Sequence, residues 1–530
     1  MKSSQTQGIN YNKMSYFEQF WNQKWWLSVA SGILLGLSFP PFPFPFLMFP
    51  AFIFLLRIND LTTSYRETAK VGIIGFLIWN VITTYWLLVA TVAAGIPAIV
   101  ANSILMTIPF SLMKLATDRF KQPYLIAFLQ ASAWVTFEFL HHRWDLAWPW
   151  LTLGNGFSNA IPFIQYISIT GVLGISFWVV FVASLFYHIT RNPARRQITA
   201  VAVAGTAPLL ISLVMFWSFD EEPVDSLEVA VMQPNYDSYL DFAGFDNPYE
   251  PLVNLLEFTD SVKTDNTALT LWPENALISN IERGYPSRVD NLIMSYAEQW
   301  RFPVISGATV IRYYGEEEVP DLYRGNNRGQ PYNVFNAAVA HYPDQTIAHY
   351  EKGKLVPFIE RLPFVDFLSQ LEFTGVDWGA IAIFGKGIDH TLFDIDGHQV
   401  PALICYDSVY PDWVRRFVLD GAGIITVITN DGWWGNTSGH IQHFDYAKLR
   451  AIENRRTVIR SANNGLSGAI GPDGRVHVKT EYWERDGFAY NASIYDAQTF
   501  YTRHGDLIGW MSMFSTFGLV IFHVTIRRKA

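Results

Sequence analysis

One cysteine, Cys405, among 530 residues excludes an internal disulfide. Charge is also scarce: Asp, Glu, Lys and Arg make up only 16% of the chain, against 50% hydrophobic residues. Together with a positive mean hydropathy, that balance argues against a wholly soluble enzyme. Long uncharged runs gather before residue 223 and after residue 506, and the stretch between them reads as ordinary globular protein. No internal repeat or low-complexity tract stands out.

The charges divide along the same line. Residues 1–223 and 507–530 carry a net +7, and residues 224–506 a net −16. A membrane anchor with basic edges and an acidic soluble body fits this division. So acidic a body excludes nucleic acid as a partner.

A helix needs about 20 apolar residues to span a bilayer. Eight segments are candidates: 25–40, 46–56, 71–94, 96–113, 123–140, 161–189, 198–219 and 507–526. The first two are short and separated by the proline-rich stretch 40–45. Basic residues cluster in alternate loops. Lys2, Lys13 and Lys24 precede the first segment, and Arg57, Arg66 and Lys70 follow the second. Lys114, Arg119 and Lys121 follow the fourth, and Arg191, Arg195 and Arg196 the sixth; Arg527, Arg528 and Lys529 end the chain. The intervening short loops hold only Arg143. The positive-inside rule then predicts eight spans, both termini cytoplasmic and residues 224–506 outside. The first segment reads as an uncleaved anchor rather than a leader. Glu138, near the outer end of the fifth segment, is expected either in a polar cavity or snorkelling to the interface.

The expected domains are residues 1–223 with seven spans, 224–506 as an extracytoplasmic α/β body, and 507–530 as a last span. Within the body, short β-branched runs at 227–232, 268–272, 303–305, 400–404, 423–429 and 457–460 predict strands. Helix-like stretches at 249–261, 288–299 and 441–455 alternate with them, as in α/β folds, whose sites lie at strand ends. The loop 362–389 is long and apolar, as lids and binding loops tend to be.

Three motifs carry chemistry. Trp272-Pro273-Glu274 sets a carboxylate after an apolar strand, and the segment 350–358 (YEKGKLVPF) offers Lys352 and Lys354. The segment 400–407 puts the only thiol at a strand end. A cysteine nucleophile needs a base to form thiolate and a cation or donors to stabilise the oxyanion. These residue types supply both. A lone cysteine is more often a buried small hydrophobe; the neighbouring motifs reverse that reading here. His440 and His443 have a metal-ligand spacing without a third ligand motif nearby, so no metal is expected.

On LWPEN (Glu274), YEKGKLVPF (Lys352), ALICYD (Cys405), TNDGWWG and RSANNGLSGAIGPDG, residues 224–506 resemble the carbon–nitrogen hydrolase (nitrilase) superfamily. With LVPFIERLPF, TFYTRHGD and the flanking spans, the whole chain is similar to the apolipoprotein N-acyltransferase family. The resemblance implies an integral-membrane helical bundle joined to an αββα sandwich. It also implies a Glu-Lys-Cys triad: Glu274 as base, Cys405 as nucleophile and Lys352 at the oxyanion, supported by Glu360, Tyr406 and Asp407. The reaction it implies moves an acyl chain from a phospholipid, through a Cys405 thioester, to the amine of a diacylglyceryl-cysteine lipoprotein. No cofactor is needed, and the setting is a bacterial inner membrane with the catalytic body periplasmic. A monomer is the simplest expectation.

Two departures from the family pattern are Asp407, where Glu is commoner, and Gln233-Pro234-Asn235, where Gly is commoner at the second position. Trp433 and Trp434 read as lining a substrate entrance or as interfacial anchors, and Phe364 as part of a lipid-facing lid. A membrane-tethered amidase and a catalytically silent lipid- or lipoprotein-binding scaffold are the alternative readings. The first leaves the spans unexplained, and the second leaves the intact triad unexplained.

Overall fold

The computed structural model describes residues 16–190, 195–284, 286–315, 319–325, 329–371 and 384–529. Among these residues, five helices are long and apolar enough to cross a membrane: 92–119, Pro123–His141, Val172–Ile189, Arg195–Trp217 and 507–525. After the short helix Tyr16–Trp21 come three longer ones, Lys24–Gly36, Met48–Leu61 and Tyr65–Thr84. The first two, with 13 and 14 residues, are about 20 Å long, short of the ~30 Å hydrocarbon layer. The third has the length of a span but carries Arg66, Glu67 and Lys70 at its start. Among the described residues these make eight long helical segments, five of them both long and apolar enough to span.

Two segment boundaries differ from expectation. The run 71–94 is not one helix: Tyr65–Thr84 ends early, and a short turn, Leu87–Ala90, follows. The run 161–189 is broken at Gly171, whose φ of +66° suits glycine. A Cβ there would meet the Tyr501 ring at 2.4 Å. Sequence periodicity does not register either break, because both flanks are equally apolar.

The N-terminal helices pack by close approach of small residues. A Cβ on Gly32 would lie 2.3 Å from the Gly75 carbonyl. Ser28 Oγ donates to the Val71 carbonyl at 2.6 Å and accepts from Gly75 N at 2.9 Å. Such small-residue seams let helix backbones touch where no hydrophobic drive separates protein from lipid. Glu138 does not snorkel. It is buried, accepting from Trp134 Nε1 and Leu153 N at 2.9 Å each.

The body is built on two large sheets, beside a two-stranded one of Phe393–Ile395 and His398–Val400. One runs Asp486–Ile494, Asp225–Gln233, Thr267–Leu271, Val304–Tyr313, Pro331–His341, Arg324–Gly325; Leu277–Glu282 and Ile347–Glu351 pair with its fourth and fifth strands. The other runs Leu403–Ile404, Ile425–Thr429, Val458–Ala462, Gly468–Ile470, Val476–Lys479. Leu227, Val229 and Val231 from the first sheet share one buried cluster with Ile404, Val427 and Ile459 from the second. The helix Arg288–Trp300 begins with a reciprocal cap between Ser287 and Asp290. The parallel strands Thr267–Leu271 and Ile425–Thr429 are covered on both faces, and Thr is their only polar residue.

Gln442, on the helix Ser438–Asn454, locks the body to the membrane helices. Its amide donates to the carbonyls of Pro40 and Thr83, and its oxygen accepts from the indoles of Trp86 and Trp150, at 2.6–3.1 Å. All four bonds are buried, so each orders the junction without water to compete.

Candidate active site

Glu274 stands just beyond the strand Thr267–Leu271, and Lys352 directly after Ile347–Glu351. Cys405 follows Leu403–Ile404 and starts a 3-10 turn, Cys405–Val409. Its φ of +47° is the left-handed conformation, uncommon for a residue with a side chain. Three strand ends from two sheets thus converge on one place.

Lys352 Nζ lies 3.1 Å from Glu274 Oε1 and 2.8 Å from Glu360 Oε1. Asn336 Nδ2 donates to the same two oxygens at 2.8 and 3.0 Å. The other oxygen of Glu274 accepts from Asn430 N at 3.0 Å, and that of Glu360 from Val356 N at 2.8 Å. Each carboxylate is therefore held at both oxygens. Burial works against the Lys352 ammonium, but Glu274 and Glu360 outweigh it and hold its pKa well above the usual lysine value. Burial and the Glu274 charge push the Cys405 thiol well up, against the pull of Lys352. At neutral pH the sulfur is a thiol, and reaction requires a base to receive its proton.

Asp407, the short carboxylate, still reaches three donors. Its Oδ2 accepts from Tyr350 Oη at 2.8 Å and Ile404 N at 3.1 Å, and its Oδ1 from Lys354 N at 2.7 Å. It ties the cysteine turn to the lysine segment. Burial raises its pKa to about 6. Tyr406 Oη donates to the Ala147 carbonyl at 3.1 Å, joining the same turn to the loop after the helix Pro123–His141.

A cavity of about 810 Å³ opens from these groups, within the range of small-molecule sites. Its polar end holds Cys405, Glu274 and Lys352; toward the membrane helices the lining turns apolar with Trp86, Leu87 and Pro97. Trp433 and Trp434 both line it, and Trp434 lies 4.8 Å from Trp86, ring to ring. Phe364 does not: it packs against Trp144, and Phe358, Ile359 and Phe384 border the cavity in its place. Residues 372–383 of the expected lid lie outside the described residues. Lys354 is turned away, its ammonium 5.0 Å from the ring centres of Tyr410 and Trp413.

The histidine pair does not act together. His440 stacks on Tyr482, whereas His443 Nδ1 lies 2.9 Å from Asp431 Oδ1. Ligand atoms of Cys405, Asp431 and His443 fall within 4.8 Å of one another. Arg460, 2.5 Å from Asp431 Oδ2 and 2.9 Å from His443 Nδ1, already supplies the positive charge there. A cation at that point would face a fixed guanidinium. Asn336, Asn430, Asp431 and His443 escaped the sequence reading as site residues. Asn430 and Asp431 stand in the TNDGWWG stretch; Asn336 carries no motif.

Residues 31–185 match the model of the apolipoprotein N-acyltransferase N-terminal domain, and residues 228–496 that of the carbon-nitrogen hydrolases. An apolipoprotein N-acyltransferase of Chlorobaculum tepidum is 29% identical, over 92% of this chain and 94% of its own length. One from Bradyrhizobium diazoefficiens is 30% identical, over 72% of this chain and 70% of its own. Among solved structures, Nit3 of Saccharomyces cerevisiae, a member of branch 10 of the nitrilase superfamily, aligns at 15% identity and a TM-score of 0.37. That alignment covers 52% of this chain and 93% of Nit3.

Proposed function

Because this chain belongs to the apolipoprotein N-acyltransferase family, and is thereby a membrane-bound acyltransferase acting in lipoprotein N-acylation, we propose that it draws its acyl group from a phospholipid and carries it as a Cys405 thioester. The acceptor is the amino terminus of a diacylglyceryl-cysteine lipoprotein. The observation that carries this reading is the cavity, whose reactive end is polar and whose other end is apolar among the membrane helices. A lipid ester can enter from the bilayer with its carbonyl at the sulfur.

Glu274 takes the thiol proton as Cys405 Sγ attacks the ester carbonyl. Lys352, held between Glu274 and Glu360, stabilises the oxyanion. When the tetrahedral adduct collapses, the C–O bond breaks and the lysophospholipid oxygen receives the proton from Glu274. The lipoprotein amine then attacks the thioester, losing a proton to Glu274; the C–S bond breaks, and that proton returns to sulfur. Two half-reactions at one site make the scheme ping-pong. Glu360 and Asp407 hold the lysine and cysteine segments, and Tyr406 fixes the turn. Trp433 and Trp434 border the lipid path. The body faces the periplasm, both termini are cytoplasmic, and the monomer suffices.

Intact-mass spectrometry of the purified protein tests the scheme. A long-chain acyl adduct on Cys405 should appear after exposure to phospholipid and disappear on adding a diacylglyceryl peptide with a free amino terminus. Transfer to the peptide with no adduct ever forming on the cysteine would refute the thioester.

A further inference from the structure

The segment 352–361 has two sides. Lys352, Val356 and Glu360 face the acyl cavity, whereas Lys354 and Arg361 face a second concavity that shares no lining residue with the first. Arg143 and Lys386 also line this second pocket, so four cations surround a volume of about 90 Å³ with one carboxylate, Asp145. That volume holds roughly three waters. It suits a compact anion and is too small for an acyl chain.

Three of the cations are held in place. Arg143 donates to the Phe139 carbonyl and pairs with Asp506; Arg361 donates to the Phe384 carbonyl and pairs with Asp366. Lys354 rests over the Tyr410 and Trp413 rings. Neither Lys354 nor Lys386 makes an ion pair among the described residues, and Asp145 accepts from Phe364 N at 2.8 Å. Burial, and then the charge of Lys386, push the Lys354 pKa down to about 8. The two ammonium groups repel each other, and the more distant charges of Asp407 and Asp412 offset this only in part.

Depth identifies the anion. Arg143 and the partly exposed Trp144 come just after His142, the C-cap of the helix Pro123–His141, one of the five able to cross the membrane. The end of a spanning helix lies at the headgroup layer, where the phosphates of a bilayer are concentrated. The geometry points to a binding site for the phosphate of a membrane phospholipid, formed by Lys354, Lys386, Arg143 and Arg361, on the reverse side of the segment that carries Lys352 and Glu360. Guanidinium groups present paired donors to a phosphate, and the ammonium groups add point charge. This site does not depend on the acyl-transfer scheme, since it shares no residue with that cavity.

Native mass spectrometry of the full chain in a nonionic detergent, titrated with phosphatidylglycerol, tests the site. Lys386→Gln and Lys354→Gln should each weaken one bound copy about fivefold, the effect of one cation near a headgroup; the double variant should lose more. Diacylglycerol, which lacks the phosphate, should not compete for that copy, and inorganic phosphate should displace it only at far higher concentration. If Lys354→Gln fails to fold, Lys386→Gln alone decides. Undiminished binding of every lipid copy in the folded variants would overturn the site. Inorganic phosphate binding as tightly as the lipid would overturn the lipid as its source.

Discussion

His443 Nε2 lies 3.2 Å from the carbonyl oxygen of Cys405. The imidazole thereby touches the backbone of a residue held at positive φ, and its other nitrogen lies beside Asp431 and Arg460. Burial and the Arg460 charge lower the His443 pKa, against the pull of Asp431. With its proton on Nε2, the ring donates to the Cys405 carbonyl and fixes the direction of the cysteine turn. His443→Ala should lower kcat about five- to tenfold, the value of one such bond, with the donor KM nearly unchanged. His443→Gln, which keeps a donor, should recover part of the loss. A kcat equal to wild type in the alanine variant would remove His443 from any positioning role.

Cys405→Ala should abolish both the acyl adduct and transfer while leaving membrane insertion near normal, because the residue it removes is small and the only thiol. Activity of the purified alanine variant near the wild-type level would rule out the sulfur as nucleophile.

Glu274→Gln and Lys352→Met should fail in different ways. With Glu274→Gln the thiol should alkylate slowly at neutral pH and recover as pH rises, since thiolate then forms without a base. With Lys352→Met alkylation should persist in part, because it develops no tetrahedral oxyanion, and transfer should fall about 10²–10³-fold. Loss of transfer in Lys354→Met with none in Lys352→Met would assign the oxyanion role to the wrong lysine.

Asp407 makes a pH prediction. Its pKa is raised by burial to about 6. As pH falls through that value the carboxylate, which accepts from Tyr350, Ile404 and Lys354, gains a proton and loses an acceptor. Transfer should therefore decline below about pH 6, and Asp407→Asn should lack that limb and be slower at pH 8. Stability runs the other way. The folded pKa lies above the unfolded value near 4, so this group's contribution is fully present below about 4 and is lost as pH rises through about 6. An acid limb unchanged in the asparagine variant would assign it to another group.

Much of this arrangement is legible in the sequence because it is local. The runs at 227–232 and 423–429 are rich in Val, Ile and Thr, with Glu228 the only charge, and the observed strands Asp225–Gln233 and Ile425–Thr429 overlap them. Glu274 and Cys405 each follow a predicted strand, 268–272 and 400–404, whereas the strand before Lys352, Ile347–Glu351, carries His349 and Glu351 and is not among the predicted strands. What escaped is tertiary. Asp431 reads as a loop residue until Arg460, from another strand, is placed 2.5 Å away. Asn336 lies inside the strand Pro331–His341, with nothing in its neighbours to say that its amide bridges Glu274 and Glu360. The helix end at Thr84 is equally silent, since hydropathy is uniform across it. Phe364 belongs to the predicted apolar loop, yet its direction depends on Asp145 and Trp144, more than 200 residues earlier.

The membrane topology turns on one helix. Tyr65–Thr84 has 20 residues, about 30 Å of helix, enough to cross, yet it falls outside the five helices that pass on hydropathy. Between it and the body lie four that do: 92–119, Pro123–His141, Val172–Ile189 and Arg195–Trp217. If Tyr65–Thr84 crosses, five passages separate Thr63 from the body, and the two stand on opposite sides. If it does not, four passages separate them, and they share a side. Thr63 and Asp265 are both exposed, so Thr63→Cys and Asp265→Cys, each in a Cys405→Ala background, report the two positions. The basic residues Arg57, Arg66 and Lys70 flanking Thr63 favour the cytoplasmic side. A membrane-impermeant maleimide added to intact cells should label Asp265→Cys and spare Thr63→Cys until the membrane is opened. Labelling of both from outside would mean that Tyr65–Thr84 does not cross.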